Sequence, residues 1–357
     1  MMPIEHIQDW EQRMARQDAF FNCEIIDRPV VCMAHRRPNP DYPFPTPKNW
    51  TSHQDKWMDA QYIAEEAVAR VMNTKYLGDA LPSAFPNLGP EVFSAFFGCE
   101  LEFSKTTSWS VPILEDWSEA ENIRFSEDNI YWKKIIEITD ALLEAGRGKF
   151  YTGLTDLHPG GDAIVAFRDP LKMNLDMIEH PNEVKKMIDR VTDVYFRVFD
   201  YYYDKLTAAG QACTTWIGIV SSKKFYVPSN DFSCMISKKM FEDIFLPGII
   251  RECQHFEAAI YHLDGPNALQ HLDSLLEVKE INAMQWVYGD GNGRASDWMH
   301  IYKKCQAAGK GLAITIDVKE VDFFMENLKP EGLWLWVSGT QDSEHAEAII
   351  KKISSWK

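Results

Sequence analysis

The segment YHLDGPNALQHLD, residues 261–273, carries two histidines and two aspartates. His262 and Asp264 stand two positions apart at the end of the apolar run AAIYHLDG. On a strand that spacing turns both side chains to one face, because successive Cβ atoms alternate. An imidazole beside a carboxylate serves three chemistries. The pair can ligate a metal, it can act as a general base with its orienting partner, or it can be a hydrogen-bonded pair that fixes the loop starting at Gly265 and Pro266. His271 and Asp273 fall on a helical pattern and read as helix-packing or solvent-facing scaffold.

Ionisable and aromatic groups end the other apolar runs as well. RPVVCMA is followed by His35, Arg36 and Arg37, a basic run in an acidic chain that suits either an anionic substrate or a solvated face. GKFYTGL leads to Asp156 and His158, ahead of Gly160 and Gly161. Those glycines let backbone N–H groups approach a ligand, or simply make a tight turn. ACTTWIGIV carries Trp216 and precedes a loop with Asp231 and Cys234. INAMQWVYG ends in Trp286, Tyr288 and Asp290, the last set among glycines, but no P-loop lysine follows. The aromatic residues suit the wall of a planar or methylated ligand, and equally a core.

The elements that must position these groups alternate in type. Apolar runs at 28–34, 148–154, 212–220, 258–265, 281–289, 311–317 and 332–339 are separated by segments of helical periodicity, and an eighth strand is expected near 81–89. HPNEVKKMIDRVTDVYFRVFDYYYDKLTAAG reads as a long helix closed by Gly210. The segment beginning at Ser237 reads as a capped helix kinked by Pro247. The Pro-dense stretch 36–50 reads as an irregular loop. Eight strands alternating with helices imply an α/β protein with a parallel sheet. The count and length fit a closed (β/α)8 TIM barrel, residues 1–357 as one domain, with a short N-terminal helical extension over 1–27. An open doubly wound sheet is the alternative, and no GxGxxG follows the first strand to support its dinucleotide-binding form. In a barrel the strands' C-terminal ends share one rim, which is where the groups above fall.

Composition narrows the partners. A formal charge of -16 excludes the clustered basic surface that nucleic acid requires and suits a small-molecule substrate. No apolar run reaches membrane-spanning length, and the start MMPIEHIQDWEQRMARQ lacks the apolar core of a signal peptide. Seven scattered cysteines without a CxxC pair read as reduced thiols, so a cytoplasmic setting is expected.

Over nearly its whole length the chain resembles the uroporphyrinogen decarboxylase superfamily. RMARQDAFFNCEIIDRPVVCMAHR looks like that family's opening helix and first strand. FPNLG with VFSAFFGCELEFS resembles its second strand, small helix and hairpin, and ISKKMFEDIFLPGI its helix after strand four. The resemblance implies a barrel enzyme. In the zinc-dependent methyltransferases of this superfamily the ligands are His-x-Cys after strand five and a Cys after strand eight. Here those positions read His262-Leu263-Asp264 and Thr340, so the resemblance keeps the His with Asp264 in place of Cys. Cys234, on the loop after strand four and outside the family's pattern, completes the expected ligand set of His262, Asp264 and Cys234. In the decarboxylase an aspartate after strand two holds the substrate's pyrrole N–H groups. Here the stretch reads Phe85-Pro86-Asn87, while Arg36 and Arg37 match the arginines that grip carboxylates.

The resulting expectation is a methyltransferase-like enzyme that moves a methyl group between a small methylated compound, or a corrinoid carried by a partner protein, and an acceptor. His262, Asp264 and Asp231 would be catalytic, and His35, Arg36, Arg37, Asn87, Asp156, His158, Trp216, Trp286 and Tyr288 would bind substrate. The alternatives are a decarboxylase of uroporphyrinogen or another polycarboxylate, and a non-catalytic barrel that binds a corrinoid or small ligand.

Overall fold

In the computed structural model, which describes residues 1–356, the apolar runs become strands numbered here in chain order. They are β1 (Val30–Arg36), β2 (Thr74–Gly78), β3 (Ser83–Ala84), β4 (Leu101–Phe103), β5 (Ser108–Ser110), β6 (Tyr151–Thr152) and β7 (Cys213–Thr214), then β8 (Val220–Ser221), β9 (Phe225–Tyr226), β10 (Ala258–Asp264), β11 (Ala283–Val287), β12 (Gly311–Asp317) and β13 (Leu333–Ser338). The first six residues of β10 and the first four of β12 are buried, as strands covered on both faces must be.

A central sheet runs in the order β2-β1-β13-β12-β11-β10-β9. Every pairing in it is parallel except β1 with β2. Helices flank it, among them Ser343–Ile353 and Pro181–Ala208, the latter close to where the periodicity put it. The architecture is therefore mixed α/β around a mainly parallel sheet. The continuous eight-stranded ladder of a closed barrel is not what the pairing displays. β3 pairs with β6, and β7 pairs with β8, outside the main sheet.

Three strand expectations change, the one near 81–89 shrinking to the two-residue β3. The run at 148–154 shortens to β6, and the run at 212–220 folds back on itself as antiparallel β7 and β8. That reversal passes through Gly218, whose φ of +73° is costly for any residue with a Cβ. The next segment, β9, then takes up the pairing with β10. β2 was not expected; it lies antiparallel on the edge of β1. The kink expected at Pro247 takes the form of a π-turn, Phe241–Phe245, just before the helix Leu246–Gln254, because proline cannot donate to the preceding turn. The hairpin of β4 and β5 follows the short helix Val92–Ala95, in the order the resemblance implied.

Parallel register sets one face of the sheet. His262 aligns with Gln285, Gln285 with Ala313, Ala313 with Trp334, and Thr315 with Trp336. Val30 and Cys32 of β1 align with Trp334 and Trp336. Among the described residues no helix is long and apolar enough to cross a membrane.

Candidate functional site

Alternation along β10 places His262 and Asp264 on the face that carries Gln285. His262 is only 9% exposed. Its Nδ1–H donates to Gln285 Oε1 at 2.8 Å, so in the neutral ring Nε2 keeps its lone pair. The ring meets Trp216 edge to face, with centroids 5.1 Å apart. Asp231 opens the short turn Asp231–Met235, and its Oδ1 lies 4.0 Å from His262 Nε2. Ligand atoms of Asp231, His262 and Asp264 all fall within 4.8 Å of one another.

The Asp231 turn is held from two sides. Asp162 accepts the backbone N–H groups of Asp231 and Phe232, each at 3.1 Å. His271, fully buried and stacked on Phe241, donates Nε2–H to Ser233 O at 2.9 Å. The scaffold role read for His271 thus has a specific content. Asp273, likewise scaffold, pairs with Lys304.

His158 sits on the other side of Asp231. Its Nε2 lies 3.0 Å from Asp156, its Nδ1 is 3.0 Å from Ser229 Oγ and 3.6 Å from Asp162, and Asp231 Oδ2 is 4.0 Å away. Burial would press its pKa down. The charge and hydrogen bond of Asp156, helped by Asp162 and Asp231, win and raise it well above the usual histidine range. Asp231 is pushed up to about 6 by burial and then by Asp162, against the pull of His158 and His262. Crowded carboxylates of this kind bind protons or cations more readily than isolated ones.

A cavity of about 630 Å³ opens beside His262. Its walls include Trp216, Gln285, Trp286, Tyr288, Trp334 and Trp336, and its lining holds no lysine or arginine. The indole N–H groups of Trp286 and Trp334 are buried without a hydrogen-bond partner. Asp290 also lines this cavity.

Other expected residues have partners outside this centre, or none. His35 Nε2 is taken up by Thr340 Oγ1 at 2.6 Å. Arg37 pairs with Asp41 at 3.5 Å, while Arg36 is exposed and makes no ion pair among the described residues. The Asn87 side-chain oxygen accepts from Gly89 N at 2.8 Å, closing a local turn, and Asn87 lines neither this cavity nor the acidic centre. The thiol of Cys234 joins neither group of converging ligand atoms. Burial and then the nearby Asp231, Asp264 and Asp162 raise its pKa, which opposes thiolate formation. The third group beside His262 and Asp264 is therefore Asp231 rather than Cys234.

Several residues escaped the reading of the sequence. Asp162 stands four residues after His158 across a helix start, a spacing that brings the two together. Trp334 and Trp336 alternate in β13, so one face of that run was legible as aromatic. Gln285 and Ser229 carry no sequence signal; register and the loop after β9 bring them in.

Glu252, 2% exposed with Oε2 unpartnered, is a further buried acid close to Gly160. Burial first, and then the charge of Asp162, push it up to about 8, against the opposing pull of His158 and Arg251. Below its ordinary value of 4.5 the folded and unfolded chains both hold the proton. Between there and about 8 only the folded chain does, so stability falls as pH rises through that window. Glu252→Gln is expected to flatten this slope, by up to about 1.4 kcal/mol per pH unit. Urea unfolding of both proteins across the window checks it, and parallel pH profiles would rule it out.

Compared with solved structures, the chain matches a methyltransferase from Methanosarcina mazei with a TM-score of 0.58 and 11% sequence identity, over 96% of this chain and 98% of that one. At that identity the likeness speaks to the fold alone. No family model matches the chain, and no curated protein does.

Proposed function

We propose that the chain is a methyltransferase-like enzyme of the uroporphyrinogen decarboxylase superfamily, a single domain whose strands close into a (β/α)8 barrel. Closure is supported by contacts that continue the ladder past its ends. Asp79 N donates to Val31 O, Gly153 N to Ala84 O and Leu154 N to Thr214 O, and the Cys213 side-chain thiol, though no part of the ladder, donates to Phe225 O across the last gap. All seven cysteines are free thiols, which supports a reducing, cytoplasmic setting.

One observation carries the functional reading: His262 joins the acidic centre to the aromatic cavity. Through Nε2 it faces Asp231, through Nδ1 it is held by Gln285 of the cavity wall, and its ring packs on Trp216 of the same wall. The donor set of one imidazole, fixed from behind, and two carboxylates fits a divalent metal such as zinc. Bound there by His262, Asp264 and Asp231, the ion would supply Lewis-acid stabilisation of an anionic acceptor. Gln285 fixes the tautomer of His262. The tryptophans exclude water and enclose the methylated compound. Continued alternation along β1 puts Arg36 on the same face as Cys32 and Trp336, where its unpaired guanidinium suits an acidic group of the substrate or of a partner-borne corrinoid. The decarboxylase and binding-only alternatives have no observation of this kind behind them.

The test uses zinc-loaded protein with methylcobalamin as donor and a panel of small thiols as acceptors, followed by loss of the methylcobalamin absorbance. Turnover that falls by roughly 10²–10⁴-fold in His262→Ala is expected. Methylcobalamin left unchanged across the panel would overturn the reading.

A further inference from the structure

The two histidines of the site are held in mirror fashion. His262 is fixed at Nδ1 by Gln285, and its Nε2, with no hydrogen-bond partner in a residue only 9% exposed, faces Asp231 Oδ1 at 4.0 Å. Asp156 Oδ1 lies 3.0 Å behind His158 Nε2, and the ring's Nδ1 is hydrogen-bonded to Ser229 Oγ at 3.0 Å, with Asp162 Oδ2 at 3.6 Å and Asp231 Oδ2 at 4.0 Å beyond it. An acceptor behind each ring is the arrangement that orients metal-ligating histidines. Asp231 therefore stands between the two rings, one oxygen 4.0 Å from His262 Nε2 and the other 4.0 Å from His158 Nδ1.

The separations fit ions better than hydrogen bonds. At 4.0 Å no hydrogen bond forms, but two ligand atoms each about 2.0–2.2 Å from a shared ion can stand that far apart. Ligand atoms of His158, Asp162 and Asp231 lie within 4.8 Å of one another, as do those of Asp231, His262 and Asp264. No lysine or arginine pairs with any of these aspartates among the described residues. A second cavity, of about 240 Å³, is lined by His158, Asp162 and Asp231.

We infer that the site takes two divalent cations, one on His158 and Asp162 and the other on His262 and Asp264, bridged by the two oxygens of Asp231. The inference rests on reading the His262 centre as a metal site and adds a second ion to it. Nitrogen and oxygen donors without thiolate suit zinc, manganese, cobalt or ferrous iron. Ser229 Oγ, 3.0 Å from His158 Nδ1, is the group the second ion must displace or recruit. Paired ions about 3.5–4 Å apart clamp an oxygen between them, so the substrate or acceptor of such a centre carries an anionic oxygen.

The full-length protein, stripped of metal and dialysed against zinc, is expected to retain two equivalents, and His158→Ala and His262→Ala one each. Loaded with manganese, the wild type should give the spin-coupled electron paramagnetic resonance signal of a pair, and each variant the signal of an isolated ion. One equivalent in the wild type that survives His158→Ala and is lost in His262→Ala overturns the second ion while sparing the His262 centre. No retained metal in any of the three overturns both. Should His158→Ala fail to fold, Asp156→Asn keeps every ligand in place. It should weaken one of the two ions by roughly 10–100-fold, and equal weakening of both, or of neither, overturns the assignment.

Discussion

Asp231→Ala is expected to abolish tight divalent-metal binding and to slow methyl transfer by roughly 10²–10⁴-fold. No other carboxylate in the site touches both histidines, with one oxygen 4.0 Å from His158 and the other 4.0 Å from His262. Its removal leaves His158 Nδ1 with Asp162 alone and His262 Nε2 with Asp264 alone, and that is too few donors to hold an ion against water. Stability should move the opposite way. In the metal-free protein Asp231 keeps its proton up to about pH 6, while an unfolded aspartate loses it near 3.8. Folding stability therefore falls as pH rises through that interval, and at neutral pH the crowded carboxylate opposes the fold. Metal-free Asp231→Asn should accordingly melt above wild type at neutral pH, with the gap closing in acid. A variant that loses metal and also melts lower would show that Asp231 is structural and that the reading of the site is wrong.

Asp79→Ala should cost about 3–5 kcal/mol of folding stability, the largest single loss expected in this chain. Asp79 is fully buried. It accepts Arg16 Nη1 at 3.0 Å and Arg28 Nη2 at 2.9 Å, is met by Arg28 Nη1 as well, and takes Val31 N at 3.0 Å. Arg16 is also bound by Asp27, with two contacts of 2.7 Å. Removing the carboxylate strands the nearly buried Arg28 guanidinium and a strand N–H, and leaves Arg16 held by Asp27 alone. The network ties the helix Trp10–Phe20 to the beginning of β1, at the opposite end of that strand from Arg36. Urea unfolding measures the loss. The folded fraction should keep its metal affinity, because the network touches none of the residues around His262. A midpoint unchanged from wild type would mean that solvent reaches the site and screens it.

How much of this could be read in advance differs from element to element. β1 and β10 to β13 fell close to their expected places because each is a run of β-branched or aromatic residues long enough to be buried whichever way its neighbours lie. The short β6, β7 and β9 were misjudged in length or missed. Two residues of pairing leave no periodicity, and their extent depends on which partner strand arrives beside them. The same holds for the site. His262 with Asp264 was legible from the two-residue alternation of a strand, and His158 with Asp156 from the loop that follows β6. That Asp231 stands between the two histidines was not, since its place is set by Asp162 and His271, which lie 69 residues before it and 38 residues after Ser233. The arginines after β1 show the converse. Their types were suggestive, but Arg37 turns to Asp41, and His35 to Thr340.

The amino-acid order by itself determined the α/β class, the principal strands and helices, the acidic character and the pairing of His262 with Asp264, because burial and backbone periodicity act over a few neighbouring residues. Tertiary structure alone decided that Asp231 displaces Cys234 beside them, that Gln285 fixes the imidazole, and that five aromatic side chains from the 216 loop, β11 and its extension, and β13 wall one cavity. Those contacts join segments far apart in the chain. Strand register and loop anchoring bring them together, and neither can be read from any one segment.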